Sequence, residues 1–197
     1  MASYVADVSG WEGWQRDYRL GVLLIIPPEE VRRRIDPLRA RHDPRSHAIC
    51  PTHISVSSPL QHEMTPEVAG EIAAALSPIG PFTLHFSRLH ASPDRGSVAY
   101  PIRPLESIEA LRTALHATSA FAGQVHGRRH IPPHMTIAES ISVQDSLELC
   151  AQLQDTAPSG SFLCDRLEYM VPDEAFRFRR LGTFPLGMPR PASSRRS

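Results

Sequence analysis

Lysine is missing from this chain. All 21 basic residues are Arg, set against 21 acidic ones in 197 residues, so the formal net charge is zero. Without Lys there is no Walker-type phosphate loop, no Schiff base and no lysine nucleophile to carry an adenylate. The balanced charge argues against a long non-specific nucleic-acid groove, which requires a basic excess. It leaves room for one small phosphorylated ligand or one RNA end. Long apolar runs are missing too: the longest, Val22 to Ile26, is strand-sized, well short of the ~18–20 residues of a membrane span. No basic segment followed by an apolar stretch opens the chain, so no secretory signal is expected. Cysteine is scarce. Cys50, Cys150 and Cys164 are odd in number and share no close spacing, so they read as reduced thiols of a cytoplasmic protein.

What is present is the composition of a soluble globular protein, 41% apolar and 21% charged, long enough for one domain or two intimately packed halves. Within it one short pattern occurs twice. Pro51-Thr52-His53-Ile54-Ser55-Val56 is followed 81 residues later by Pro132-Pro133-His134-Met135-Thr136-Ile137. In a strand, residues i and i+2 share a face. His53 and Ser55 then point one way while Ile54 and Val56 point the other, and His134 and Thr136 stand likewise against Met135 and Ile137. Each copy presents an imidazole and a hydroxyl, with an apolar face behind to anchor it in a core.

The surroundings repeat as well. A strand over Leu20 to Ile26 is stopped by Pro27-Pro28, and a helix follows with Glu29 and Glu30 at its positive end. Val31, Ile35 and Leu38 have helical apolar spacing, and Pro37 is expected to kink or end that helix. A polar stretch, Arg41 to His47, leads to the first His strand. Thr65-Pro66-Glu67 caps a second helix with Val68, Ile72, Ala75 and Leu76 as its buried stripe, and Phe82 to Phe86 alternates as a strand. After the turn Ser92 to Gly96 the order recurs: a strand over Ser97 to Ile102, a helix face of Ile108, Leu111 and Leu115, a polar loop Gln124 to His130 and the second His strand. Ser142 with Asp145 then caps the helix carrying Leu147, Cys150 and Leu153. Phe162 to Met170 reads as one strand, Val171 to Glu174 as a turn and Arg177 to Leu186 as a last strand. Ser142 follows Thr65 by 77 residues and Phe162 follows Phe82 by 80. The chain thus reads as a duplicated strand–helix–strand–helix–strand unit that brings two His strands together across one cleft. Trp11 and Trp14 lie in an N-terminal arm that packs on the body.

Imidazole has an ordinary pKa of ~6.5, so at neutral pH one His can be neutral while its partner is protonated. That combination suits concerted general base and general acid catalysis. Two hydroxyls can donate to oxygens on which charge accumulates. The reaction that fits is transfer at a phosphodiester, in which a base activates the attacking oxygen and an acid protonates the leaving one.

The paired His-apolar-[Ser/Thr]-apolar motifs, each following a strand–helix unit, resemble the two-histidine (2H) phosphoesterase superfamily, also called the 2′-5′ RNA ligase or cyclic phosphodiesterase family. The resemblance runs from about Arg19 to Gly187. It includes Ser161-Phe162-Leu163-Cys164-Asp165-Arg166-Leu167-Glu168-Tyr169 and the closing Thr183-Phe184-Pro185-Leu186-Gly187. It implies a bilobal, pseudo-twofold α+β fold with antiparallel sheets around a central cleft, and catalysis without metal or cofactor. His53, Ser55, His134 and Thr136 occupy the family's catalytic positions. The implied substrate is a small cyclic nucleotide or an RNA end carrying a 2′,3′-cyclic phosphate or a 2′-5′ linkage, hydrolysed or, in reverse, ligated, by a monomer away from any membrane. Residues 1–18 are expected as an arm, 19–187 as one domain of two lobes (about 19–96 and 97–187), and 188–197 as a disordered tail. Where several members carry Arg after the second motif this chain has Glu139, and Ser58 stands where many carry an aromatic. Arg95, Tyr100, Arg128 and Arg129 are the residues that could compensate.

Three rival readings can be weighed on the same residues. Among 10 His, His126 and His130 stand at i, i+4, but zinc usually takes three or four N, S or O ligands. His53 and His134 come with hydroxyls in place of carboxylates or Cys. His42, His47, His62, His85, His90 and His116 lack repeat partners and read as surface or packing residues. A Ser–His hydrolase lacks its Gly-x-Ser-x-Gly elbow. A non-catalytic nucleotide or RNA-end binding module on this scaffold would not need both His and both hydroxyls, which favours the enzyme.

Overall fold

The computed structural model describes residues 4–122 and 131–187. The expected tail from 188 onward, and His126, Arg128, Arg129 and His130, lie outside the described residues. After a one-turn helix α1 (Gly13–Arg16), the first series runs β1 (Val22–Ile25), α2 (Glu29–His42), α3 (Pro44–Ile49), β2 (Ile54–Ser55), α4 (Pro66–Leu76) and β3 (Phe82–Phe86). A short β4 (His90–Ser92) leads into the second: β5 (Ser97–Pro101), α5 (Leu105–His116), β6 (His134–Ala138), α6 (Val143–Leu153) and β7 (Gly160–Cys164). A hairpin of β8 (Arg166–Pro172) and β9 (Phe178–Pro185) completes the described chain.

The fold is α+β and every strand pairing is antiparallel. One sheet has the order β2-β1-β8-β9, a second β4-β5-β6, and β3 pairs with β7. The duplication is visible in the pairing, because β1 holds β2 and β5 holds β6 in the same antiparallel sense. Sheet membership nevertheless crosses the sequence halves: β8 and β9, from after the second unit, complete the sheet built on β1. Both His strands are therefore sheet edges, and β2 packs against β6.

Burial explains the elements. β1 is buried at every position because it is covered on both faces. Leu23 and Ile25 enter the main core with Ile54, Val56, Met135 and Ile137, while Val22 and Leu24 join a smaller cluster with Cys50 and Met170. α4 and α6 begin as read, with the Thr65 hydroxyl accepting from Val68 N and the Ser142 hydroxyl from Asp145 N. Ile108, Leu111 and Leu115 of α5 are fully buried.

Several expectations need correction. α2 runs through Pro37 to His42. Pro37 and Arg33, whose carbonyl loses its donor, are both exposed, so water can satisfy that group while Val31 and Ile35 hold the helix to the core. Part of the polar stretch before His53 is the short helix α3, nucleated by Asp43, whose side chain accepts from Ser46 N. The single strand read over Phe162 to Met170 is two, broken at Asp165, because β7 pairs with β3 while β8 pairs with β1 and β9. Leu147 is half exposed, and α6 buries Ser146 and Leu153. Trp11 of the arm is buried, with its Nε1 donating to Glu174 O at 3.1 Å.

The turn after β4 is locked to the loop after β6. Gly96 has φ +54°, and its carbonyl accepts from Ile141 N at 3.1 Å. A Cβ placed there would stand 1.8 Å from Ile141 O. Gly96→Ala should therefore destabilise the protein by more than the ~1–2 kcal/mol that a left-handed conformation costs a non-Gly residue, read as a lower urea midpoint. An unchanged midpoint would mean the two loops are not in register.

Candidate active site

His53, Ser55, His134 and Thr136 all line one cleft of about 740 Å³. The alternation that delivers them is complete. Ile54, Val56, Met135 and Ile137 are fully buried, and the four polar side chains between them are half-buried on the opposite face. The register sets Ser55 beside Leu24, Thr136 beside Ala99 and His134 beside Pro101.

Both imidazoles are held in the same way. His53 Nδ1 lies 2.8 Å from Pro51 O and His134 Nδ1 lies 2.8 Å from Pro132 O. A carbonyl only accepts, so Nδ1 must carry the proton in each case. That leaves Nε2 as the atom whose protonation changes, the position a proton-transfer group needs. Each carbonyl belongs to a Pro two residues upstream, whose ring fixes φ and whose nitrogen asks for no partner of its own.

Each long helix braces one His segment. Asp36 on α2 accepts from the backbone N (3.0 Å) and the hydroxyl (2.5 Å) of Thr52, the residue before His53. Arg112 on α5, almost fully buried, donates to Ile131 O at 3.0 Å and to Ser55 O at 3.2 Å, tying the two motif segments to each other.

The walls add residues that sequence reasoning missed. Arg39, His42 and Asp43 at the end of α2, with Arg45, Ser46 and Cys50, form one side. Glu139 lies on the rim, where the Ser46 hydroxyl donates to Oε1 (3.1 Å) and its backbone N donates to Asp43 Oδ2 (3.2 Å). Arg45 pairs with Glu12 at 2.7 Å. Burial pushes the Cys50 thiol up to about 12, so it stays a neutral thiol in the wall and is no nucleophile. Burial and the neighbouring Arg41 hold His42 below the usual imidazole value. The other side is aromatic: Trp14, Tyr18, Phe176 and Phe178 meet edge to face, with Phe176 5.2 Å from Trp14 and 5.4 Å from Phe178. Among the described residues the non-Gly positions with positive φ are Ser140 and Phe176, and both line this cleft.

Of the residues named as compensating for Glu139 and Ser58, Tyr100 is fully buried in the core and Arg95 stands exposed in the turn before β5. Neither lines the cleft. Arg39 carried a signal that could have been read: it falls four residues after Ile35, on the buried stripe of α2. The aromatic wall carried none, because Trp14 and Phe176 are distant in sequence. Among the described residues, no three His, Cys, Asp or Glu side chains converge as a metal-binding set, and no helix is long and apolar enough to cross a membrane.

Residues 27–175 match the family model of the 2′-5′ RNA ligase superfamily. The structure resembles that of E. coli LigT complexed with 3′-AMP, at 20% identity over 85% of this chain and 97% of that one, with a TM-score of 0.59. It also resembles a phosphoesterase crystal structure at 21% identity, 85% and 97% coverage and a TM-score of 0.55. E. coli LigT in its apo form gives 21% identity, 85% and 96% coverage and 0.54. At these identities the likeness shows the fold. No curated protein matches the chain.

The carbonyl contacts make a prediction that needs no substrate. In long-range ¹H–¹⁵N correlation spectra at alkaline pH, His53 and His134 should both appear as the Nδ1–H tautomer. An Nε2–H tautomer at either would mean that its Pro carbonyl does not orient it.

Proposed function

The chain belongs to the 2′-5′ RNA ligase superfamily, and on that premise we propose that it is a metal-independent phosphoesterase acting on a 2′,3′-cyclic phosphate or a 2′-5′ phosphodiester of a nucleotide or RNA end. The observation that carries this reading is the matched pair of imidazoles. His53 and His134 line one cleft, each with Nδ1 bound to a carbonyl two residues upstream and a hydroxyl two residues downstream. One neutral imidazole takes a proton from water through Nε2. The water oxygen attacks phosphorus, the bond to the ribose oxygen breaks, and the protonated imidazole donates its Nε2 proton to that leaving oxygen. Ser55 and Thr136 donate to the non-bridging oxygens as charge builds on them. With a ribose 5′-hydroxyl entering in place of water, the same groups form a 2′-5′ bond: one imidazole takes the hydroxyl proton, the oxygen attacks the phosphorus of a 2′,3′-cyclic phosphate, and the 3′-oxygen leaves with the proton of the other imidazole.

The aromatic wall supports a nucleoside as the remainder of the substrate. Trp14 is about half exposed and is held edge-on by Phe176 and Tyr18, so a base can stack on an aromatic surface that is already ordered. E. coli LigT, which shares the fold, was crystallised with a nucleotide, 3′-AMP.

The test is a panel of 2′,3′-cyclic nucleotides and 2′-5′ oligonucleotides assayed in EDTA. Turnover should survive the chelator and follow a bell-shaped pH profile whose limbs belong to the pair. His53→Ala and His134→Ala should each remove one limb and lower kcat by about 10²–10⁴-fold. Ser55→Ala and Thr136→Ala should each lower kcat by up to roughly 10²–10³-fold, with far-UV circular dichroism unchanged. Activity that vanishes with EDTA and returns with Zn²⁺ or Mn²⁺ would overturn the mechanism. Tight nucleotide binding with no turnover anywhere in the panel would make the protein a binding module.

A further inference from the structure

Among the described residues Arg39 has no ion-pair partner. It is 2% exposed, and its Nε has no hydrogen-bond partner. A guanidinium stays charged at any pH a protein meets, so it cannot escape burial by losing its proton. Buried charges in proteins are normally paired, because removal from water is costly unless a partner compensates.

The carboxylates of α2 and the cleft wall hydrogen-bond to other groups. Asp36, on the same helix, accepts twice from Thr52. Asp43, one turn on, accepts from Ser46 N and Glu139 N. Glu12 pairs with Arg45, and Glu139 accepts from Ser46. Arg39 nevertheless lines the cleft that holds His53 and His134, on a helix that packs against β6. A protein that buries an unpaired guanidinium in the wall of an open cleft is built for an anion that arrives from solution.

We propose that Arg39 is the anion-binding residue of this cleft and that its occupant is a phosphate group of the substrate. The planar fork of the guanidinium matches two oxygens of one phosphate. It supplies the positive charge absent from the position after the second motif, where Glu139 stands. Ser55 and Thr136 are neutral donors and bring no positive charge to the cleft. Arg39 binds the charge already present in the ground state, so its loss acts on binding more than on turnover. The inference rests on the phosphoester reading of the cleft, but its test does not require catalysis.

The probe is inorganic phosphate, titrated into the full chain carrying His53→Ala and His134→Ala, so that no turnover can intervene. Phosphate should raise the melting temperature, and the Arg39 Nε–H resonance should shift on saturation. Adding Arg39→Gln should weaken phosphate binding at least tenfold and abolish the thermal shift. Without phosphate the Arg39→Gln protein should melt no lower than its parent, because an unpaired buried charge has been removed. Arg39→Lys should restore part of the affinity. In the otherwise native protein, Arg39→Gln should raise KM for any substrate by more than it lowers kcat. An Nε–H resonance that ignores phosphate, or an Arg39→Gln affinity within twofold of its parent, would overturn the inference while leaving two-histidine catalysis standing. Phosphate binding that depends on Arg39 in a protein that turns over no phosphodiester would do the reverse.

Discussion

Everything in the cleft depends on two short strands staying in register. Ile54, Val56, Met135 and Ile137 are fully buried, and because side chains alternate with a period of two, a slip of one residue would drive His53 or His134 into the core. β2 is only two residues long and an edge strand, so its own ladder is a weak restraint. Its register is held from the sides. Leu23 O accepts from both Val56 N and Ser57 N at 3.3 Å, Leu23 N donates to the Ser57 hydroxyl at 3.0 Å, and Arg112 grips Ser55 O. On the other strand, Ile102 N donates to Pro133 O at 3.0 Å immediately before His134. The two edge strands lie against each other.

The two halves are equivalent where the imidazoles are held and different where the segments are braced. Pro51 and Pro132 do the same work for His53 and His134. Asp36 and Arg112, each on the helix that precedes its motif, do opposite work: one accepts from Thr52, the other donates to the carbonyls of Ser55 and Ile131. The surroundings diverge further, since the end of α2 with α3 forms one wall of the cleft and the aromatics form the other. A general acid and a general base must differ in protonation at the moment of reaction. A matched pair in unmatched walls can divide those roles, which two imidazoles in identical settings could not do without the substrate choosing for them.

What could be read from the sequence follows the range of the interactions. The His strands and the capped starts of α4 and α6 are written in residues two to four apart, and the repeat shows as the recurrence of those local patterns about 80 residues later. The continuation of α2 through Pro37 is decided by exposure of a carbonyl, a property of the folded surface. The break at Asp165 is set by which partners β7 and β8 find, in different sheets. The spacing of Arg39 from Ile35 puts it on the buried stripe of α2, but only the assembled cleft shows it in a wall whose carboxylates hydrogen-bond to other groups. Tyr100 fails as a ligand contact for the same reason inverted: its strand position sends it into the core beside Phe86, 5.3 Å away.

The crossing of sheet membership has a consequence for how the site comes into being. β8 completes the sheet that carries β2, and the turn between β8 and β9 supplies Phe176 while the start of β9 supplies Phe178 to the aromatic wall. Trp14 and Tyr18 come from the other end of the chain and close on the same turn, with Trp11 anchored to Glu174 O behind them. The cleft therefore has no complete wall until residues near both ends have met, although its two His strands belong to separate repeats. Contacts this distant in sequence are costly to close and tend to form late. An isolated repeat would keep one imidazole on its Pro carbonyl, but it would lack the second imidazole and half of the aromatic wall. Duplication supplied the pair of imidazoles, and the exchange of the final hairpin across the repeats binds them into one cleft.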